Sequence, residues 1–260
     1  FNEIEAFMAA ACENPDLNFD FNLSLLSPAY IDFSEIDTTT PEGQKLDCIY
    51  KKLIQSPTFT NLFTNTFGGT QEKLNVKFEI ADNLPNEING NCTFLPPNNG
   101  NYTNLIRIKK EILSQTNGIG HSSNIKIAKI IIHELMHAYL NIKMINCNQG
   151  ASLPTINNLE LGEFIQLFYD NFNCHIEVNG SPQSQHDFMY AHLVSSFQAI
   201  FNETRDLLIS QANIDYANSL NFSNPSLNIN ESWIWNKFFK YITLNGLHQC
   251  DSFFQATSSD

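Results

Sequence analysis

The chain has 260 residues, of which 42% are hydrophobic and 12% aromatic, which is enough for one large globular domain with a sizeable core. The formal net charge of -13 argues against nucleic-acid binding, which needs clustered Lys and Arg, and disfavours an anionic membrane surface. No stretch approaches the ~20 apolar residues of a membrane-spanning helix, so no span is expected.

Residues 1–44 are predicted to form an irregular linker, because prolines and a polar, Thr-rich run interrupt any regular pattern. The chain begins at Phe1 without a basic region, and we expect it to be a trimmed piece of a longer chain. From Gln44 to about Phe67 apolar residues recur at helical spacing, with an interruption expected at Pro57.

A small sheet of three or more strands is predicted within residues 70–113. Residues 74–80 alternate apolar and polar side chains, which is the strongest strand pattern in the chain. Residues 91–95 and 104–108 are further strand candidates, and a Pro-, Asn- and Gly-rich turn separates them.

The second half is predicted to be mainly helical. A helix over 123–143, capped by a serine at its start, is apolar on nearly all faces and should therefore be buried. Further helices are expected over 160–172 and 185–211, with a last one around 233–242. The order of elements indicates an α+β fold, with one domain over 45–260 that has a sheet-bearing part (about 70–143) and a helical part (about 144–260).

The segment His133-Glu134-Leu135-Met136-His137 predicts a zinc site on the 123–143 helix. Two histidines four residues apart project from one helix face, so their ring nitrogens can bind one Zn²⁺ at about 2.0–2.1 Å. Glu134 can reach a water that the metal activates and take its proton as general base. A chain with only 7 histidines rarely forms this pattern by accident.

A catalytic zinc site of this kind needs a third protein ligand, and three sources compete for the role. His186 continues an apolar stripe through Met189, Leu193, Phe197 and Ile200, so it should point inward and is the favoured third ligand. Glu160 and Glu163 are the alternative, although both acids also suit the first turn of their own helix. His192 is the least favoured, since it lies on a different face of the helix from His186.

Two supporting roles stay open. The oxyanion of the reaction could be stabilised by His192 or by one of the tyrosines Tyr169, Tyr190 and Tyr241. Asp187 could accept a hydrogen bond from a ligating imidazole, or simply cap its helix. The remaining histidines, His121, His175 and His248, are predicted to be surface residues.

The block Ala128–Leu140 resembles the active-site helix of SprT-like zincins. More closely, the chain resembles metallopeptidase domains at the C-terminal ends of large exported proteins of Bacteroidota, in three further segments: Lys45–Leu53, His186-Asp187-Phe188-Met189 and Asn245-Gly246-Leu247. Asp187 replaces the Glu of that family's third-ligand motif. The resemblance, which runs from about Lys45 to Phe254, implies a zincin-like fold, one Zn²⁺, peptidase activity and an exported protein.

Three functions are therefore considered. The first is a zinc endopeptidase, acting as an effector, toxin or processing domain on a peptide substrate that pairs with an edge strand, for which residues 104–108 are the candidate. The second is a zinc hydrolase of a non-peptide amide or ester. The third is a non-catalytic zinc-bearing binding module, which would have no need of Glu134.

Overall fold

A computed structural model describes residues 29–64, 74–95, 102–114, 123–148, 189, 193–224 and 229–245. These residues form a small mixed sheet packed against helices, with a predominantly helical second half. The predicted α+β class is confirmed.

The main sheet has four strands in the order β1-β2-β4-β3. Their bounds are β1 Ala29–Asp32, β2 Leu74–Ala81, β3 Gly90–Phe94 and β4 Tyr102–Lys109. β1, β2 and β4 are parallel, and β3 pairs antiparallel with β4. All three strands predicted from sequence are confirmed, each within about two residues of its expected ends.

Strand β1 corrects the prediction of an irregular linker over 1–44. Ala29–Asp32 pairs with Leu74–Lys77 along the edge of the sheet, and the first helix begins at Pro41. The strand has only four residues, too few for alternation to stand out in sequence. Residues 1–28 of the predicted linker lie outside the described chain.

One face of the sheet is apolar and packs on helices. Side chains that point to this face include Val76, Phe78, Ile106 and Ile108, all fully buried. Phe78 stacks on Phe33, with ring centroids 4.7 Å apart. The opposite face carries charged residues, among them an ion pair between Lys77 and Glu35. Alternation thus separates core from surface, as expected for a sheet covered on one side.

The first two helices are separated where the sequence predicts an interruption. Helix α1 spans Pro41–Leu53 and is capped by Thr40, whose side chain accepts from the backbone N–H of Gly43. The short helix α2, Pro57–Phe59, follows the interruption at Pro57 and continues as a π-helical turn, Thr60–Thr64. Helix α3, Lys110–Ser114, directly follows β4.

Helix α4, Asn124–Asn148, runs against the apolar face of the sheet. Its start is as predicted, since Ser123 accepts from the backbone N–H of Lys126 at 3.3 Å. It contacts β3, β4 and α1, and residues on several of its faces are fully buried, including Ile127, Ile131, Leu135 and Leu140. Among the described helices none is both long and apolar enough to cross a membrane.

The C-terminal part contains three described helices and one hairpin. They are α5 Val194–Leu208, α6 Gln211–Asn218, the hairpin of β5 Asn221–Asn224 and β6 Ile229–Ser232, and α7 Trp235–Leu244. The helix predicted over 185–211 ends at Leu208, because Ile209 is extended and Ser210 caps α6. The hairpin was not predicted, since its strands are short and rich in Asn and Ser.

Candidate metal centre

Helix α4 carries His133, Glu134 and His137 at its middle, where the helix is otherwise inaccessible. From residue 130 to residue 140 only the two histidines are partly exposed, and every other side chain is buried. The 3.6-residue period places both imidazoles on one side of the helix. The histidines therefore line the part of this helix that a solute can reach.

The ring nitrogens of the two histidines converge. His133 Nε2 and His137 Nε2 are 3.1 Å apart, and the ring centroids are 4.7 Å apart. Two nitrogens at this separation can both lie about 2.05 Å from one ion, with an angle at the ion of about 100°. The separation of the two nitrogens is therefore compatible with one shared Zn²⁺, and equally with a hydrogen bond between one protonated and one unprotonated nitrogen.

Glu134 lies on the side of α4 that packs against β3, next to Gly90. Its side chain is 6% exposed. Burial raises the pKa of Glu134 from 4.5 to about 8, and the positive charge of Lys129 on the preceding turn opposes this rise. A positive charge bound by the histidines would, like that of Lys129, lower the pKa of Glu134 and favour its ionised form.

Gly90 on β3 makes room for Glu134, and sequence reasoning did not identify it. A Cβ at Gly90 would lie 3.2 Å from both Cγ and Oε1 of Glu134, and 2.6 Å from Cγ2 of Ile130. Any larger residue would therefore push on the side chain of Glu134 or of Ile130. A glycine at the start of a predicted strand was the available sequence signal.

A polar cluster sits one turn beyond His137. Asn141 follows His137 by four residues and donates to Oδ1 of Asn104 on β4, with Nδ2 2.9 Å away. The thiol of Cys92 on β3 lies 3.8 Å from the same oxygen, and Cys92 is a free cysteine. Burial and the nearby carboxyl of Glu134 raise the pKa of that thiol well above its usual value. The cluster fixes α4 against the two strands beside the site.

The third ligand stays a prediction. His186, Glu160, Glu163 and His192 all lie outside the described residues. Within the described chain no group of three or more His, Cys, Asp or Glu side chains is placed to hold a metal ion.

The apolar stripe from which His186 was predicted to point inward is buried at its described residues. Its described members are Met189, Leu193, Phe197 and Ile200, each at most 6% exposed. The inward-facing side of this segment is thus confirmed for these four residues.

Two other sequence predictions have structural outcomes. Residues 104–108 were the candidate edge strand for substrate, but β4 lies between β2 and β3, so that prediction is wrong. Among the described strands, β3 is the edge strand that contacts α4. Of the oxyanion candidates, Tyr241 lies on α7 and is 66% exposed. Tyr169, Tyr190 and His192 lie outside the described chain, as does Asp187.

Comparison of the chain with protein-family models, with curated proteins and with solved structures finds no match.

Proposed function

We propose that this protein is a zinc-dependent endopeptidase of the zincin type, with His133 and His137 as zinc ligands and Glu134 as general base. The observation that carries the proposal is the convergence of the two Nε2 atoms, 3.1 Å apart, directly beside a buried carboxyl group. His186 is proposed as the third ligand, supported by the burial of the stripe that follows it.

Bound Zn²⁺ would supply Lewis acidity, which polarises a carbonyl group and lowers the pKa of water. The chain's own residues do the rest. The carboxylate of Glu134 accepts the proton of the attacking water, and the protonated carboxyl then donates it to the leaving amine. Burial that raises the pKa of the carboxyl makes the Glu134 carboxylate a stronger base than a free carboxylate, which favours the first transfer, and the positive charge of a bound ion would keep it ionised.

The buried position of Glu134 favours a catalytic site over a non-catalytic zinc-binding module. A buried carboxyl group costs free energy unless something compensates for it, and a module that only binds zinc needs no such group beside its histidines. The chain nevertheless keeps Glu134 under the pair and leaves room for it at Gly90.

Strand β3 is the proposed docking edge for an extended substrate backbone. The hydrogen bonds from Lys109 N to Asn89 O and from Leu95 N to Thr103 O mark the positions where backbone groups face β4. Because these positions alternate along an antiparallel pair, the backbone N–H and C=O groups of Gly90 and Cys92 point away from β4. A substrate strand that paired with this edge of β3 would run past Glu134, whose side chain lies next to Gly90.

The proposal is tested by incubating zinc-loaded wild type and Glu134→Gln with a library of unstructured peptides and identifying products by mass spectrometry. We expect internal cleavage by wild type, abolished by a chelator, and a loss of at least about 100-fold in Glu134→Gln although zinc is retained. Glu87→Gln, which changes an exposed glutamate, is the matched control and should cleave as wild type does. Full activity in Glu134→Gln would contradict the mechanism.

A further inference from the structure

A concave site lies at the N-terminal end of α4, away from the histidines. It is a pocket of about 510 Å³, formed where the start of α4 meets the α5–α6 junction and the segment from β6 into α7. That size is within the range of small-molecule sites. Ile125, which lines it, precedes His133 by eight residues, or about 12 Å along the helix axis. The pocket is therefore not part of the candidate metal centre.

Aromatic rings form much of the pocket wall. The chain has 2 tryptophans, and both of them, Trp233 and Trp235, line this pocket. Trp235 is held in place by a hydrogen bond from its Nε1 to Oδ1 of Asn218 at 2.9 Å and by the guanidinium of Arg205, 5.6 Å from the ring centroid. Tyr216 lines the same pocket with 67% of its surface exposed. The ring of Trp235 is thus held in place, and Tyr216 offers a large accessible face.

The polar groups of the pocket are amides and hydroxyls. Ser123, Asn124, Ser210 and Asn213 line it together with the rings, and none of the lining residues is acidic or basic. Ser123 and Ser210 accept from backbone N–H groups as helix caps, which leaves each hydroxyl hydrogen able to donate. The amide of Asn124 donates to the carbonyl of Leu208 at 3.3 Å, and its oxygen is an acceptor on the same side chain.

We propose that this pocket binds an uncharged oligosaccharide of two or three sugar units. The C–H faces of pyranose rings are apolar and pack on aromatic faces, while their hydroxyl groups need partners that both donate and accept. The lining offers both kinds of surface side by side. A charged ligand would leave its charge without a counter-charge among the lining residues, which costs free energy on desolvation.

Tryptophan fluorescence reports on this pocket specifically, because both tryptophans of the chain line it. The protein is titrated, in the presence of a chelator, with maltotriose, cellotriose and N,N′-diacetylchitobiose, and with a proline-rich neutral peptide as the competing ligand class. We expect at least one sugar to shift the emission with a Kd near or below about 1 mM. The chelator makes the result independent of the zinc site, so failure here leaves the proposed peptidase function standing.

Two exposed tyrosines give a matched pair of variants. Tyr216→Ala removes the accessible ring from the pocket and should weaken sugar binding about tenfold. Tyr241→Ala removes a ring that is 66% exposed and is not among the lining residues, and should leave the affinity within about twofold. Because both side chains are largely exposed, neither change should unfold the protein. No response to any of the sugars, binding of the peptide alone, or equal affinity in Tyr216→Ala would overturn the proposal.

Discussion

At the scale of single residues, the candidate site depends on a few side chains whose surroundings are unusual. Glu134 is a carboxyl group inside the apolar layer between α4 and the sheet, and burial raises its pKa to about 8. Gly90 is the residue that the space around Glu134 requires. For each of these two residues, a substitution should change the free energy of unfolding, which can be measured without substrate.

Replacement of Glu134 by Gln should stabilise the metal-free protein increasingly as pH rises. The unfolded chain releases this proton near pH 4.5, whereas the folded chain keeps it to about pH 8. The folded state therefore loses stability across that window, and Glu134→Gln, which has no proton to release, does not. Between pH 4.5 and pH 8.5 the difference in free energy of unfolding should grow by roughly 2–5 kcal/mol.

Urea denaturation with a chelator, at three pH values, measures this difference. Glu87→Gln is the control, since it changes an exposed glutamate and should follow wild type throughout. A gap between Glu134→Gln and wild type that stays constant with pH would show that the carboxyl is not held in an apolar environment.

Replacement of Gly90 by Ala should lower the stability of the protein. The added methyl would meet Ile130 at 2.6 Å and Glu134 at 3.2 Å, so one of the two side chains must move. Overpacking of this kind costs about 1–3 kcal/mol. Urea denaturation of Gly90→Ala, beside Thr93→Ala on the exposed side of the same strand, separates overpacking from a general effect on β3. Equal stability of both variants would argue against the close packing of β3 on Glu134.

At the scale of elements, α5 is tied to α2 by one carboxylate. Glu203 on α5 accepts hydrogen bonds from the hydroxyls of Ser56 and Thr58 and from the backbone N–H of Thr58. Ser56 also caps α2 by accepting from the backbone N–H of Phe59 at 3.0 Å, and it is fully buried. These bonds hold the pKa of Glu203 below its usual value in spite of partial desolvation.

Ser56→Ala should therefore destabilise the protein by about 1–3 kcal/mol at pH 7, because it removes a helix cap and a hydrogen bond to a charged group. Thermal or urea denaturation checks the value. Ser195→Ala changes an exposed serine on α5 itself and should alter stability by less than about 0.5 kcal/mol. If the two variants were equally stable, the tie between α5 and α2 would contribute nothing.

Sequence patterns predict the longer elements and miss the short ones. The apolar surface around α4 and the alternation in β2 extend over enough residues to identify each element. Strands β1, β5 and β6 have four residues each, and what defines them is pairing with a distant partner. The order of the strands likewise depends on long-range pairing, which is why β4 was taken for an edge.

The candidate site likewise has a part that the sequence predicts and a part that only the fold reveals. The spacing of His133, Glu134 and His137 is a local property of one helix, so sequence alone places them together. Gly90 and Asn104 reach the site from strands that are far away in sequence, and only the fold brings them to α4. Asn141 was accessible to sequence reasoning, since it continues the four-residue spacing of the two histidines.

At the scale of the whole molecule, the fold buries residues 130–140 of α4 except for two histidines. These two side chains are partly exposed, and their Nε2 atoms converge. The sheet supports this helix from one side, and α5 and α7 contact it as well. The proposed peptidase chemistry requires a metal ion at this histidine pair. Zinc binding is therefore the property that decides the proposal.

Isothermal titration of the metal-free protein with Zn²⁺ tests that property most directly. We predict one ion per chain, with affinity lowered by more than about 100-fold in His133→Ala and in His137→Ala, since loss of an outer-shell partner alone costs about 10–100-fold. His248→Ala, at a histidine predicted from sequence to be on the surface, should bind as wild type does. Undiminished zinc binding in either His133→Ala or His137→Ala would contradict the account.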